Sequence, residues 1–308
     1  MSKRKPAGMS PATYLRIVLL MAVVVGALLW LSRRSWVLPS SGKAGAVREA
    51  RVSEPRRRSD GMEPRPPATA DAERSNCVPR LALPACAGRD FVIENEAGRY
   101  ALCYDTACRQ AAWVAYLLTR ADVHAREAKR KNAFRSDPEV VGRGWPTAVD
   151  RDYAGSGYDR GHLLPSADRV GSQAANNATF LLSNISPQLP ALNRGVWKRL
   201  EEQVRAWAGR YDSLYVVTGG VLRPDLPRMK ERVAIPGQFY KAVLVRIGGA
   251  YHAVAFLVPN DADVVSDFMT YAVPVDRAEE AAGLDFFAAL PDSIERAVES
   301  RIDRRIWR

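Results

Sequence analysis

From Arg89 onward the chain alternates short apolar runs with turn residues, the pattern of an α+β domain. Phe91-Val92-Ile93 and Tyr100-Ala101-Leu102 predict two strands joined by a turn containing Gly98. Thr179–Ser183 and Leu214–Thr218, with their β-branched and aromatic content, predict buried strands. Tyr240–Ile247 and Tyr251–Val258 flank Gly248-Gly249 and predict a hairpin. Arg109–Thr119 carries apolar residues that suit a helix or a buried strand, and periodicity does not separate the two. Between Asn193 and Gly209 the spacing turns helical. Leu192, Val196, Leu200 and Val204 recur every four residues as an apolar stripe, with Asn193, Trp197, Glu201 and Arg205 recurring beside it. That second stripe places a neutral oxygen ligand, an acid and a base on adjoining turns; an amphipathic helix with a Glu201–Arg205 ion pair would look the same.

The N-terminal region reads differently. Lys3, Arg4, Lys5 and Arg16 precede an unbroken apolar stretch, Ile17–Leu31, of 15 residues. As a helix it spans about 22 Å, short of the roughly 30 Å hydrocarbon core unless Tyr14, Leu15, Trp30 and Trp36 extend it. No small-residue cleavage site follows, so residues 1–32 are expected to be an uncleaved signal anchor, a transmembrane helix, with a cleaved signal peptide as the alternative. Residues 33–76 are rich in Pro, Arg, Ser, Ala and Glu without apolar periodicity, and are expected to be a disordered tether. Residues 77–308 then form the folded domain.

Charge changes this picture less than its total suggests. The net charge is +11, yet residues 1–76 hold 14 Lys/Arg against 6 Asp/Glu, which leaves 31 against 28 for residues 77–308. The basic surplus belongs mostly to the tail and is poor evidence for nucleic-acid binding, although a local basic groove is compatible with it. Cys77, Cys86, Cys103 and Cys108 are the only cysteines, an even and clustered set that reads as disulfides in an oxidising compartment. The expected pairing is Cys77–Cys86 with Cys103–Cys108, against the alternatives of a structural zinc site or unpaired buried thiols. Anchor and disulfides together place the domain outside the cytoplasm, in a bacterial periplasm or secreted.

Chemistry concentrates between Asp152 and Arg205. With three histidines in the chain, the search for a general base is short. His124 lies in a charged stretch and His252 within an expected strand, whereas His162 follows Gly155-Ser156-Gly157 and Gly161, where a strand end can present a side chain into a cleft. Asp159-Arg160-Gly161-His162 is followed by Ser183-Asn184-Ile185-Ser186-Pro187-Gln188 and by Leu192-Asn193-Arg194-Gly195-Val196-Trp197. A base of near-neutral pKa and a hard oxygen ligand are what metal-assisted phosphodiester cleavage needs.

These motifs, with Asp152–Tyr158, Phe180–Ile185, Leu200-Glu201 and Val216–Gly219, resemble the DNA/RNA non-specific endonuclease family, which includes secreted bacterial nucleases and mitochondrial endonuclease G. The resemblance runs from about Ala111 to Asp292, with weaker echoes at Trp113–Tyr116 and Pro259-Asn260. It implies a ββα-metal fold, a central antiparallel sheet flanked by helices. It also implies a Mg²⁺-dependent endonuclease, with Mn²⁺ as a substitute, acting on DNA and RNA through phosphate contacts to leave 5′-phosphates. In that pattern His162 is the general base and Asn193 the direct metal ligand. Glu201 acts through metal-bound water, Arg205 and Arg160 contact phosphate, and Asn184 orients the site. Asp159 is expected to hold Arg160 or the local backbone. The position that best fits the family's transition-state arginine is Asn132, and Arg135 or Arg130 is expected to fill the gap. Nucleic acid, the membrane and a second copy of the chain are the implied partners. The competing readings are a catalytically silent nucleic-acid receptor and a metal phosphodiesterase with another substrate.

Overall fold

The structure, a computed structural model, describes residues 78–84 and 91–308. The apolar stretch Ile17–Leu31, the tether of residues 33–76, Cys77 and Cys86 lie outside the described residues. Among the described residues no helix is long and apolar enough to cross a membrane.

Eleven strands are present among the described residues: β1 (Val92–Asn95), β2 (Tyr100–Asp105), β3 (Gln110–Thr119), β4 (Asp159–His162), β5 (Ile185–Gln188), β6 (Ser213–Gly220), β7 (Arg228–Met229), β8 (Val233–Ala234), β9 (Gln238–Ile247), β10 (Ala250–Pro259) and β11 (Ala272–Val273). Seven form one antiparallel sheet in the order β1-β2-β3-β6-β9-β10-β11, while β4-β5 and β7-β8 make separate two-stranded pairs. The longer helices are α1 (Trp197–Tyr211), α2 (Val275–Ala282) and α3 (Asp292–Glu299).

Both faces of the sheet are covered. Val114, Tyr116 and Leu118 of β3 and Phe239, Val243 and Val245 of β9 pack in one core layer with Leu200, Val204 and Trp207 of α1. The alternate residues, Trp113 and Ala115 of β3 and Tyr240, Ala242 and Leu244 of β9, pack in a second layer with Val275 and Ala278 of α2, Phe286 and Phe287. A strand covered on both faces needs apolar residues at every position, which is why Arg109–Thr119 shows no two-residue alternation and resolves as β3. The β9-β10 hairpin turns at Gly248 and Gly249, whose φ values of 56° and 88° fit the tight turn expected between the two runs.

Two expectations are corrected. Thr179–Ser183 is not a strand: the chain turns there, makes one bridge from Leu181 to Arg135, and closes a 3₁₀ turn at Leu182–Asn184. The segment is apolar because it is buried; turn bonds and the pairing with Arg135 satisfy its backbone in place of a ladder, with the Asn184 side chain donating to the Thr179 carbonyl. The Cys103–Cys108 pairing is not made either. Cys103 is in the disulfide state, whereas Cys108 is a free, buried thiol whose amide is capped by Asp105 at 2.7 Å.

Candidate active site

Strands β4 and β5 run antiparallel, pairing Asp159 with Gln188 and His162 with Ile185. A helical segment follows, so strand, strand and helix enclose one cleft. Gly161 is required by close approach: a Cβ there would lie 2.3 Å from the Gln188 side chain. Asn184, fully buried, accepts from the Leu164 amide at 2.9 Å and donates to the carbonyls of Leu164 (3.0 Å) and Thr179 (2.8 Å). Its amide is thus spent on the backbone just past His162, a positioning role. Asn260 accepts from the Leu189 amide at 2.8 Å and donates to the carbonyls of Pro187 and Pro236, tying the end of β5 to the main sheet.

His162 ends β4 and is buried between aromatic rings. Phe134 lies 5.6 Å and Phe180 5.0 Å from its centroid, the latter edge-on at 88°. Burial, and then the nearby Arg130 guanidinium, hold the imidazole well below its ordinary value, at about 3, against an opposing hydrogen bond to the Arg160 backbone. The ring is neutral at any physiological pH. Its Nε2 is buried and makes no hydrogen bond among the described residues.

Asn193 belongs not to a regular α-helix but to a π-helical segment, Leu192–Val196, that leads into α1. Gly195 departs from helical geometry within it (φ −100°, ψ −112°), so the four-residue spacing from Asn193 to Glu201 crosses a kink. Such bulges recur at functional sites because they re-aim a side chain. Trp197, which shares the stripe, is fully buried in the core and does not face the cleft. The Asn193 amide nitrogen donates to Asp159 Oδ2 at 2.9 Å, and Arg194 forks onto both oxygens of the same carboxylate at 2.7 and 2.6 Å. Asp159 therefore holds Asn193 and Arg194, not Arg160. Arg194 first, with Asn193 assisting, keeps its carboxyl below the usual carboxylate range.

Glu201, on α1, is half-buried; burial pushes its carboxyl above the usual range, opposed chiefly by Lys241. Lys241 sits on β9 between Tyr240 and Ala242, so it points to the opposite face, toward α1. It is buried, its Nζ lies 4.8 Å from the Trp197 ring centroid without a hydrogen bond, and burial lowers its pKa. Arg205 bonds Asp168 at 2.9 Å; Asp168 is itself buried and accepts from Tyr116. Sequence reasoning missed Lys241 and Asp168. The signal for Lys241 was there, a lone charge inside the apolar run Phe239–Val245.

The structure separates the arginines. Arg130 lines the cleft, bonds Ser166 Oγ at 2.8 Å and Asn132 Oδ1 at 2.7 Å, and lies 5.2 Å from the Phe180 ring centroid. Arg135 instead donates to the carbonyls of Ala133 and Asn177 and faces a different depression, with Asp137 and Leu181. Arg160 lines the cleft, anchored by Asp150 at 2.6 Å and flanked by the Phe134 and Tyr153 rings.

His162, Asn193, Glu201, Arg130, Arg160 and Arg205 line one cleft of about 390 Å³. Arg194 and Lys198 add positive charge at its edge, so five cations face one carboxylate although the domain as a whole is nearly balanced. Such a cleft concentrates a polyanion. The donor set also suits a hard divalent cation. Asn193 has its nitrogen committed to Asp159, which leaves the carbonyl oxygen to ligate, and Glu201 adds carboxylate oxygen without sulfur or a second imidazole.

The profile of the DNA/RNA non-specific endonuclease family matches residues 90–293. The chain is 35% identical to the "Nuclease" of Nostoc sp. over 224 residues, covering 69% of this chain and 78% of that one. It is 34% identical to human mitochondrial endonuclease G, covering 64% and 69%, and 31% identical to the "Nuclease" of Serratia marcescens, covering 76% and 90%. A chain from a crystal structure of the EndoG/EndoGI complex, solved to explain EndoG inhibition, superposes with a TM-score of 0.60 at 29% identity, over 68% of this chain and 91% of its own. The antiparallel sheet, the arginine-lined cleft and these likenesses converge: the chain belongs to the DNA/RNA non-specific endonuclease family, a family of nucleic-acid hydrolases.

Proposed function

We propose that this protein is a metal-dependent endonuclease of the ββα-metal class that hydrolyses DNA and RNA without regard to sequence or sugar, leaving 5′-phosphates. The observation that carries the reading is the pairing, in one cationic cleft, of an unpartnered neutral imidazole nitrogen on His162 with an Asn193 carboxamide held by Asp159.

Asn193 and Glu201 would hold a divalent cation such as Mg²⁺ or Mn²⁺, which would supply charge neutralisation at the phosphoryl group. The protein's own residues do the rest. His162 Nε2 takes a proton from water as the water oxygen bonds to phosphorus; the bond from phosphorus to the 3′ oxygen breaks, and that oxygen is protonated from solvent. Burial, assisted by Arg130, keeps the His162 imidazole neutral, and Arg130 is the arginine we assign to the transition-state charge. Arg160 and Arg205, fixed by Asp150 and Asp168, are preorganised for phosphate oxygens.

The domain is proposed to act outside the cytoplasm behind an N-terminal anchor, supported by the Ile17–Leu31 run and the disulfide state of Cys103.

The test is cleavage of supercoiled plasmid and of RNA by the full-length protein in Mg²⁺ or EDTA, beside His162→Ala. Cleavage that EDTA stops and the variant lacks by about 10²-fold or more is expected. DNA retained uncut would indicate a silent receptor, and nucleic acid neither bound nor cut would indicate a phosphodiesterase with another substrate.

A further inference from the structure

On the opposite face of the sheet from the cleft, α2 and α3 bring together carboxylates that no cation answers. Asp276 and Glu279 lie on α2 and Glu299 ends α3, with one oxygen of each within 4.8 Å of the others. Val275 and Ala278, their neighbours on α2, belong to the core layer with Phe286 and Phe287, whereas α1 and its site residues pack against the other face.

Glu299 is the decisive member. It is 4% exposed, and its Oε1 is buried without a hydrogen-bond partner. Glu279 spends one oxygen on the Phe286 amide at 2.7 Å. Glu295 and Asp285 add negative charge, and the strongest charged influences on Glu299 are all acids. No ion pair among the described residues reaches any of the five: Arg277 pairs with Glu280, and Arg305 with Asp303. An unpaired buried carboxylate is costly, and that cost falls when a cation supplies the missing charge.

We propose that Asp276, Glu279 and Glu299 form a structural calcium site that clamps α2 to the end of α3. The donor chemistry selects the ion. With one Glu279 oxygen taken by the Phe286 amide, the three carboxylates offer up to five oxygens and no nitrogen or sulfur, which suits a hard cation over zinc or copper. Ca²⁺ takes six to eight oxygens in flexible geometry, whereas Mg²⁺ demands an octahedron and sheds its waters reluctantly. Glu299 comes at the end of α3, shortly before Trp307, which packs on Trp207 of α1 at 5.0 Å, so the clamp steadies the C-terminal segment.

The experiment is thermal unfolding and calorimetric titration of EDTA-stripped full-length protein with CaCl₂ or MgCl₂, using wild type, Glu299→Gln, Asp276→Asn and Asn193→Ala. At about 100 times its Kd, Ca²⁺ should raise the Tm of the wild type by roughly 5 °C or more, with a clearly smaller effect of Mg²⁺. Asn193→Ala should keep the calcium shift, and Glu299→Gln and Asp276→Asn should lose most of it. Asp276 is exposed, so its variant decides the matter even if Glu299→Gln folds poorly. The proposal is overturned if calcium leaves the wild-type Tm unmoved, if both carboxylate variants respond as the wild type does, or if the shift disappears in Asn193→Ala.

Discussion

The side-chain nitrogen of Asn193 donates to Asp159 Oδ2 at 2.9 Å, so a residue three positions before His162 on β4 aims the carboxamide that follows β5. The bond fixes which Asn193 atom is left for a metal. Asp159→Ala should therefore raise the Mg²⁺ concentration for half-maximal cleavage by about 10–100-fold while leaving nucleic-acid retention in EDTA nearly unchanged. A metal titration of cleavage rate checks this, and an unaltered midpoint would remove Asp159 from the metal site.

Arg130→Gln should move the His162 titration upward, because Arg130 is the second cause, after burial, of its depressed pKa. Unfolded histidine titrates near 6.5 and the folded group at about 3, so the folded state binds fewer protons between those values. Stability is accordingly lost as the pH falls through that window. Histidine NMR is practical with only three histidines in the chain. His162 should stay neutral down to about pH 5 in the wild type and protonate at higher pH in the variant. Identical titrations would show that Arg130 does not act on the imidazole.

Lys241→Met should shift the acid limb of the kcat/KM profile to higher pH. Lys241 is the main influence opposing the upward push of burial on Glu201, so its loss leaves Glu201 protonated over a wider range. The shift should be absent when Glu201→Gln is combined with it, which separates the pair from a general structural effect.

Gly161→Ala should destabilise the fold by about 1–3 kcal/mol, because the added methyl meets Gln188 at 2.3 Å between paired strands. Urea unfolding reads the loss. Adding Gln188→Ala should recover part of it; equal stability of the single variant and wild type would mean that the strands move apart freely.

Much of this molecule is legible in one dimension, for reasons visible in particular residues. The β9-β10 hairpin follows from two apolar runs around Gly248-Gly249, and α1 from a four-residue stripe, because both are local patterns. His162 and Asn193 could be named because the motifs that carry them are contiguous, and the structure brings both to one cleft. Thr179–Ser183 misled because burial makes any segment apolar, and only its turn bonds and the 3₁₀ geometry at Leu182–Asn184 show that it is not a strand.

Residue order alone was enough to establish the family, the hairpin, the helix and the identity of the residues that meet at the cleft, since each rests on short-range spacing. It could not bring Arg130 rather than Arg135 to the cleft, assign Asp159 to Asn193, reveal Lys241 opposite Glu201, or leave Cys108 free. Those depend on which chain segments approach across tens of residues, as Arg130 does Ser166 and Asp159 does Asn193, and only the packing of the sheet against α1 and the β4-β5 pair sets such distances.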